Sequence, residues 1–424
     1  MNLIGITDCN NFYVSCIRSF NPKLIGQPVI VLSNNDGCVI ARSNEAKAVG
    51  VKMGQPVFQM DKLISDYNIQ VFSSNYEHFG DMSRRVFDSM GRFLENVHVY
   101  SIDEAFFEAS GYEAIHPDLE EFARMLINTV GQWTRIPISI GIGETMTLAK
   151  VANKYCKKHP ELGGVFIMDT PEKRNEILSD FPIGDLWGVG YRYQALLKRN
   201  GIKTALDLSK MPHDWIKQFM TVEGLRLVYE LQGIQCRSLD TEPLHKKSIC
   251  CAPSFGTKVW SLETIREALA TYVARAGEKL RRHSSAAGVV TVFLHTNRFD
   301  KVGPHYSNSQ TVILPHPTSS TMELLQYADT VLESIYRKGY EYQKVGVILN
   351  DIVSESHQQE LIFNETPDQR QAQLSKLVDK INGRYGRDKI RLAKQGFYEK
   401  NWRMHQRHLS PCYTTKWSDI LLVK

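Results

Sequence analysis

The stretch Ser101-Ile102-Asp103-Glu104 lies between two strand-like runs, residues 97–101 and 105–109. It sets two adjacent carboxylates at a strand end or tight turn. A third carboxylate, Asp8, closely follows the first apolar run of the chain, Leu3-Ile4-Gly5-Ile6. Carboxylates brought together repel one another unless a cation neutralises them. A site of Asp and Glu oxygens suits a hard divalent ion such as Mg²⁺. Two such ions clamp the attacking and leaving oxygens of a phosphoryl transfer. Each carboxylate also has a plainer reading: Asp8 as the N-cap of the segment after it, and Asp103-Glu104 as an exposed hairpin turn.

Further strand-like runs lie at 3–6, 29–32, 138–141 and 165–168, with helical patterns at 81–93 and 119–133 and a short one at 12–18. The order β-α-β-β-α-β puts the acidic pair on the central hairpin, as in ferredoxin-like sheets. From residue 181 to about 233 the pattern changes to short helical segments joined by Gly turns. Residues 235–247 carry Pro243 and two lysines without an apolar period and read as a linker. A second α/β unit follows, with helices at 265–282 and 321–337 and strands at 289–295, 311–314 and 344–349. After Asp351 the chain turns polar and ends in a basic, aromatic tail.

The chain has 424 residues, 42% of them hydrophobic, enough for several packed cores. A net charge of +5 is compatible with a nucleic-acid partner without identifying one. No apolar run approaches the roughly 20 residues of a membrane span. The N-terminus lacks the pattern of a signal peptide. The eight cysteines are scattered without a Cys-x-x-Cys, which speaks against a disulfide framework or a zinc site. A cytoplasmic, reducing location is expected.

Four segments and the C-terminal end carry a resemblance. They are DCNNFYVSC (8–16), SNNDGCVIARSNEAKAVGVKMG (33–54), SIDEAF (101–106), GIGETMTLAKVANKYCKK (141–158) and the closing SPCYTTKWSDIL (410–421). Over most of its length the chain resembles the Y-family of DNA polymerases, the translesion enzymes, and is nearest their UmuC branch. The resemblance implies an α+β multidomain fold. A ferredoxin-like palm with fingers would occupy 1–180, the fingers inserted at about 20–80. A helical thumb with a helix-hairpin-helix would occupy 181–234, a linker 235–247, an α/β little finger 248–351 and a partner-binding C-terminal region 352–424.

The resemblance also assigns residues. Asp8, Asp103 and Glu104 become catalytic carboxylates holding two Mg²⁺ ions, with the carbonyl of Cys9 as a further ligand. Phe12 would pack against the sugar of the incoming nucleotide. Tyr13 would be the steric gate that excludes a 2′-hydroxyl, the group that separates RNA from DNA. Both rings have plain core packing as their other reading. Lys47 and Lys157 would hold the triphosphate, and Cys38 and Ile40 would roof the nascent base pair. Many family members place a Tyr and an Arg where this chain has Asn44 and Lys47. Lys supplies a point charge but not a bidentate fork.

Gly188 and Gly190 precede a helical stretch, and glycines there let backbone N–H groups approach a DNA phosphate. In the second unit, which the resemblance makes a DNA-gripping domain, Arg275, Lys279, Arg281 and Arg282 give a basic helix face; its plain reading is a solvated face, and no individual contact is assigned. Gln359, Leu361, Ile362 and Phe363 resemble a peptide that docks into the bacterial sliding clamp, although Glu360 departs from the usual Leu. Between residues 380 and 407 nine Lys/Arg face two acids, interleaved with Tyr385, Phe397, Tyr398 and Trp402. That composition suits single-stranded nucleic acid or a protein partner; the resemblance favours partners, a processed UmuD′-type homodimer and the RecA filament.

The expected activity is error-prone, template-directed DNA synthesis from dNTPs on primer-template DNA, in translesion synthesis during the SOS response, without proofreading. A nucleotidyl cyclase shares the ferredoxin-like carboxylate site, but it has no use for a thumb and a second basic domain. A DNA-binding scaffold has no use for the complete carboxylate set.

Overall fold

The computed structural model describes residues 3–239, 246–355, 369–397 and 401–422. The chain divides into two compact units. The first comprises Met1–Ser33, Cys38–Pro243 and His408–Lys424; the second comprises Asn34–Gly37 and Leu244–Arg407.

The first unit runs β1 (Ile4–Cys9), α1 (Phe12–Phe20), β2 (Val29–Leu32), β3 (Val39–Arg42), α2 (Asn44–Ala48), α3 (Asp61–Asp66), β4 (Gln70–Ser73) and α4 (Tyr76–Met90). It continues with β5 (Val97–Val99), β6 (Glu104–Glu108), α5 (Leu119–Thr134), β7 (Ile138–Gly143), α6 (Met146–Lys158) and β8 (Val165–Met168). Four helices then follow: α7 (Pro171–Asp180), α8 (Tyr191–Arg199), α9 (Ala205–Ser209) and α10 (His213–Leu231).

The main sheet has the order β5-β6-β1-β7-β8. Its first four strands are antiparallel neighbours in the ferredoxin-like order, and β8 joins parallel to β7 after the α6 crossover. β1 and β7 are buried almost throughout, as central strands covered on both faces must be. Between α1 and α4 a small sheet is inserted, ordered β3-β2-β4, over its own core of Ile30, Leu32, Val39, Met60 and Ile69.

The sequence pattern marked only β2 of this sheet, because β2 is an unbroken apolar run, whereas β3 and β4, equally short, are interrupted by Arg42 and by Gln70 and Ser73. Helix α4 begins at Tyr76, earlier than the expected 81, because the Asn75 side chain caps it by accepting from His78 N at 3.2 Å. Helix α10 is tied to the start of α6 by Glu230. This buried carboxylate accepts from Thr147 N and Oγ1 at 3.1 and 2.6 Å and from Arg237 N at 3.0 Å.

The second unit holds β9 (Ser248–Cys251), β10 (Ser254–Val259), α11 (Leu262–Arg282), β11 (Ser285–Thr296), β12 (Ser307–Thr318), α12 (Thr321–Ile335), β13 (Tyr342–Ser354) and α13 (Gln369–Tyr385). Its sheet order is β10-β13-β11-β12, with β9 also on β13. The three long strands outrun the expected 289–295, 311–314 and 344–349. The first half of β12, Ser-Asn-Ser-Gln-Thr, is mostly exposed and polar and carries no apolar alternation to read.

Two side chains of the basic regions are buried. Arg281 is 4% exposed and forms a two-pronged pair with Asp379 of α13 at 2.6 and 2.8 Å, so it is a structural cation rather than part of an open DNA-facing stripe. Trp402 is buried in the second unit's core, edge-on to Tyr272 at 5.7 Å, so of the two readings left open for its region this ring takes packing. Residues 359–363, which carry Gln359, Leu361, Ile362 and Phe363, lie outside the described residues, as does Tyr398. Among the described residues no helix is long and apolar enough to cross a membrane.

Gly141 of β7 sets the distance between the sheet and α6. A Cβ there would lie 2.2 Å from Asn153 N and 2.5 Å from Ala149 O, both backbone atoms of α6 that cannot swing away. Gly141→Ala is expected to cost about 3 kcal/mol of stability. Urea denaturation would show this as a lower midpoint with an unchanged slope.

Candidate active site

β1 and β6 run antiparallel, and their register sets Asp8 directly opposite Glu104. Facing residues on adjacent strands hold their Cβ atoms about 5 Å apart on one face. Asp103 sits one residue before β6, in the turn from β5, where its carbonyl accepts from Cys9 N at 2.8 Å. Ser101 fixes this turn. Its Oγ accepts from Asp103 N and Glu104 N at 3.2 and 3.0 Å and donates to Asp103 Oδ1 at 2.6 Å. The Ser101–Glu104 stretch is therefore a hairpin turn and a carboxylate site at once.

Helix α6 brings two lysines against these carboxylates. Lys157 Nζ pairs with Asp8 Oδ1. Lys150 Nζ reaches both oxygens of Glu104, at 2.8 and 3.0 Å. The two lysines are two helical turns apart and share one face. Lys150 also lies over the rings of Tyr100 and Trp187, at 4.7 and 5.0 Å, a cation–π contact with each. Asp8, Glu104, Lys150, Lys154, Lys157 and Trp187 line a cavity of about 380 Å³.

Burial pushes the Asp8 carboxyl above its usual range. Lys157 opposes this and Glu104 and Asp103 add to it. The donor set is carboxylate oxygen throughout, since the neighbouring Cys9 thiol is raised far out of its usual range by burial and by Asp8, and stays neutral. That chemistry fits a hard divalent cation. As placed, Asp8 and Glu104 point to lysines and Asp103 to Ser101: among the described residues no three acidic, His or Cys side chains close on one centre. The residues that would hold cations are thus aligned by the backbone, with two of the three carboxylates neutralised by amines.

A second cluster faces the same strand end. Lys47 Nζ donates to Asn11 Oδ1 at 2.7 Å and to Asn44 Oδ1 at 3.1 Å, and Asn11 Nδ2 donates to Asn44 Oδ1 at 3.1 Å. Asn44 thus orients Lys47 rather than standing as a separate contact. Burial, with repulsion from Arg42 and Lys157, lowers the Lys47 ammonium. Three cations converging with few anions between them make an anion-binding environment. Ile40 and Arg42 alternate along β3 and so share one face, with Cys38 just before the strand.

Tyr13 is half-buried. It stacks on Phe79 at 4.5 Å and 18°, and meets Tyr76 edge-on at 6.2 Å. Burial, then Tyr76 and Asp103, push its phenol up to about 12. Phe12 is 4% exposed and belongs to the core beneath Tyr13, at 5.7 Å between rings. Gly188 takes φ of 88°, and Gly190 is the extended N-cap of α8 with open space at its Cβ position.

Sequence reasoning did not single out Lys150, Asn11, Arg42 or Trp187 as members of the site. Lys150 was within reach as the residue seven before Lys157 on one helix face. Asn11 was signalled only weakly, by an Asn-Asn pair; it takes the left-handed φ of 46°. Lys150→Ala is expected to reduce primer extension at least about tenfold, by leaving Glu104 without its counter-charge. Single-turnover primer extension, with circular dichroism to confirm folding, measures it.

Residues 7–154 match the impB/mucB/samB family, residues 246–361 match the C-terminal domain of that family, and residues 372–423 match a domain of unknown function. The chain is 39% identical to Protein UmuC of Salmonella typhimurium over 424 residues, all of both chains. It is 36% identical to Protein MucB of Escherichia coli over 418 residues, 99% of each. In fold it resembles a Y-family DNA polymerase chimera of Dbh and Dpo4, with a TM-score of 0.69 at 18% identity, over 83% of this chain and 99% of the other. It also resembles an insertion ternary complex of Dbh DNA polymerase, with a TM-score of 0.53 at 19% identity and the same coverage. By these matches over its whole length, the chain belongs to the impB/mucB/samB family, as a UmuC-type homologue of the Y-family DNA polymerases.

Proposed function

We propose that this chain is an error-prone, template-directed DNA polymerase that copies damaged template in the cytoplasm during the SOS response, without proofreading. The single observation that carries the reading is the facing of Asp8 and Glu104 across β1 and β6, with Asp103 bonded to the same strand end. In the reaction the primer 3′-hydroxyl gives up its proton to solvent and its oxygen bonds to the α-phosphorus of a dNTP. The bond from that phosphorus to the bridging oxygen of pyrophosphate breaks.

Asp8, Asp103, Glu104 and the Cys9 carbonyl would hold two Mg²⁺ ions, which when bound supply charge neutralisation to the attacking and leaving oxygens. The chain's own residues do the rest. Lys47 and Lys157, with Arg42 nearby, bind the triphosphate as point charges and pull the leaving group's negative charge toward them. For Lys157 this means exchanging Asp8 for phosphate. Lys150 stays on Glu104 and holds its carboxylate in place. Ile40 on β3 and Cys38 just before the strand face the nascent base pair. Tyr13, wedged on Phe79, fills the room a 2′-hydroxyl needs, and Phe12 supports it from the core. Gly188 and Gly190 bring the start of α8 to a duplex phosphate. Most of the rate comes from positioning and fixed charge.

Asp103→Asn and Glu104→Gln are each expected to lower primer extension by at least about 10³-fold without loss of folding. Extension that survives either change would remove the carboxylate assignment. Tyr13→Ala should lower the preference for dNTP over rNTP at least about tenfold, whereas Tyr13→Phe keeps it, because the exclusion is steric. With its phenol up at about 12, Tyr13 is neutral at working pH. The preference should therefore be flat between about pH 6 and pH 9 in the kcat/KM ratio.

Partners follow from the same reading: a UmuD′-type homodimer, the RecA filament and the sliding clamp. Clamp docking would use Gln359, Leu361, Ile362 and Phe363. Leu361→Ala with Phe363→Ala is expected to weaken binding to purified clamp about tenfold or more. Undiminished binding in a titration would reject that segment.

A further inference from the structure

The final segment of the chain lies along α1 and α4 of the first unit. Ser73 N donates to His408 O at 2.9 Å, and His408 N donates to Ser73 Oγ at 3.0 Å. Asn75 Nδ2 donates to Ser410 O at 2.9 Å and to Ser410 Oγ at 3.2 Å. The ring of Tyr413 stacks on Phe20 at 4.7 Å, 8° from parallel, and meets His78 edge-on at 5.7 Å. The segment closes on itself where Asp419 accepts from Cys412 N and Lys416 Nζ, each at 3.0 Å.

These anchors fall on the two helices that carry the sugar gate. α1 begins with Phe12 and Tyr13 and ends with Phe20. The first turn of α4 presents Tyr76 and Phe79, the two rings packed against Tyr13. Asn75 links the two roles in one buried side chain. Its Oδ1 caps α4 at His78 N, while its amide N–H groups hold the segment at Ser410. Asn75 and Ser410 are 3% and 4% exposed. The same amide also reaches Pro411 O at 3.3 Å and Cys412 Sγ at 3.5 Å; without the segment its buried donors would lose these partners, and the cap it forms would loosen with them.

We infer that residues 408–419 are a positioning brace for the sugar gate: they fix the first turn of α4 against α1 and so set the room beside Tyr13. The inference rests on reading Tyr13 as the gate. Tyr413, Ser410 and Asn75 act through Tyr76 and Phe79 and are positioning residues.

The test uses the full-length chain and single-nucleotide primer extension with a dNTP and its matching rNTP. Tyr413→Ala is expected to lower the dNTP-to-rNTP ratio of kcat/KM about three- to tenfold, chiefly by admitting the ribonucleotide. Tyr413→Phe, which keeps the stacked ring, should restore the ratio. Amide hydrogen exchange over residues 76–80 should rise in Tyr413→Ala and not in Tyr413→Phe. If Tyr413→Ala does not fold, Tyr413→Leu serves with the same expectation. A ratio unchanged in Tyr413→Ala, alongside a ratio lost in Tyr13→Ala, overturns the brace and leaves the gate standing. A ratio unchanged in Tyr13→Ala overturns the gate and the brace together.

Discussion

The pairing of β1 with β6 is the constraint on which the site depends. In that register Asp8 faces Glu104, and the next hydrogen bond along, Cys9 N to Asp103 O, ties the third carboxylate to the same strand end. Strand side chains alternate between faces, so a slip of one residue would send Glu104 to the opposite side of the sheet. The register is held from both sides. β7 pairs with the other edge of β1 from Ile4 to Cys9, and Ser101 clamps the β5–β6 turn with three hydrogen bonds. Acidic side chains are thus gathered by backbone bonds that do not depend on their charge.

Their repulsion is met by α6. That helix packs so closely on β7 that only glycine fits at position 141, and the closeness brings Lys150 and Lys157 within reach of Glu104 and Asp8. Glu230 fixes the N-terminal turn of the same helix to α10. The lysine row, the carboxylates and the thumb-like helices are in this way one mechanical unit. Lys150, boxed by Tyr100 and Trp187, has the more confined setting of the two lysines; Lys157 is the more exposed and faces the Lys47–Arg42 side, where a triphosphate would lie.

Motifs with long apolar runs or unusual residue combinations were legible directly. The ferredoxin-like order and the three carboxylates were read from short strands and an acidic pair, and the second α/β unit from two helices and three strands. Of the inserted sheet only β2, an unbroken apolar run, was legible; β3 and β4 are short and interrupted by Arg42, Gln70 and Ser73. The full lengths of β11 and β12 were not legible, because the start of β11 is buried Ser-Ala-Ala-Gly without a large apolar residue and the first half of β12 is polar and mostly exposed. Arg281 and Trp402 looked like members of a basic, aromatic surface. Composition does not distinguish a surface cation from one neutralised by Asp379, nor an exposed ring from one packed on Tyr272.

By itself the sequence determined the chemistry that is available: which residues carry charge, which segments alternate for a sheet, and which family the motifs belong to. Only the tertiary structure decided how those residues are spent. It paired Lys157 with Asp8, gave Asn44 the task of orienting Lys47, and laid Tyr413 on Phe20, 393 positions earlier in the chain. The physical reason is one of range. Periodicity and turn chemistry act over a few residues, whereas a salt bridge or a stacked ring needs distant segments brought within about 4–5 Å, and only the packed chain does that.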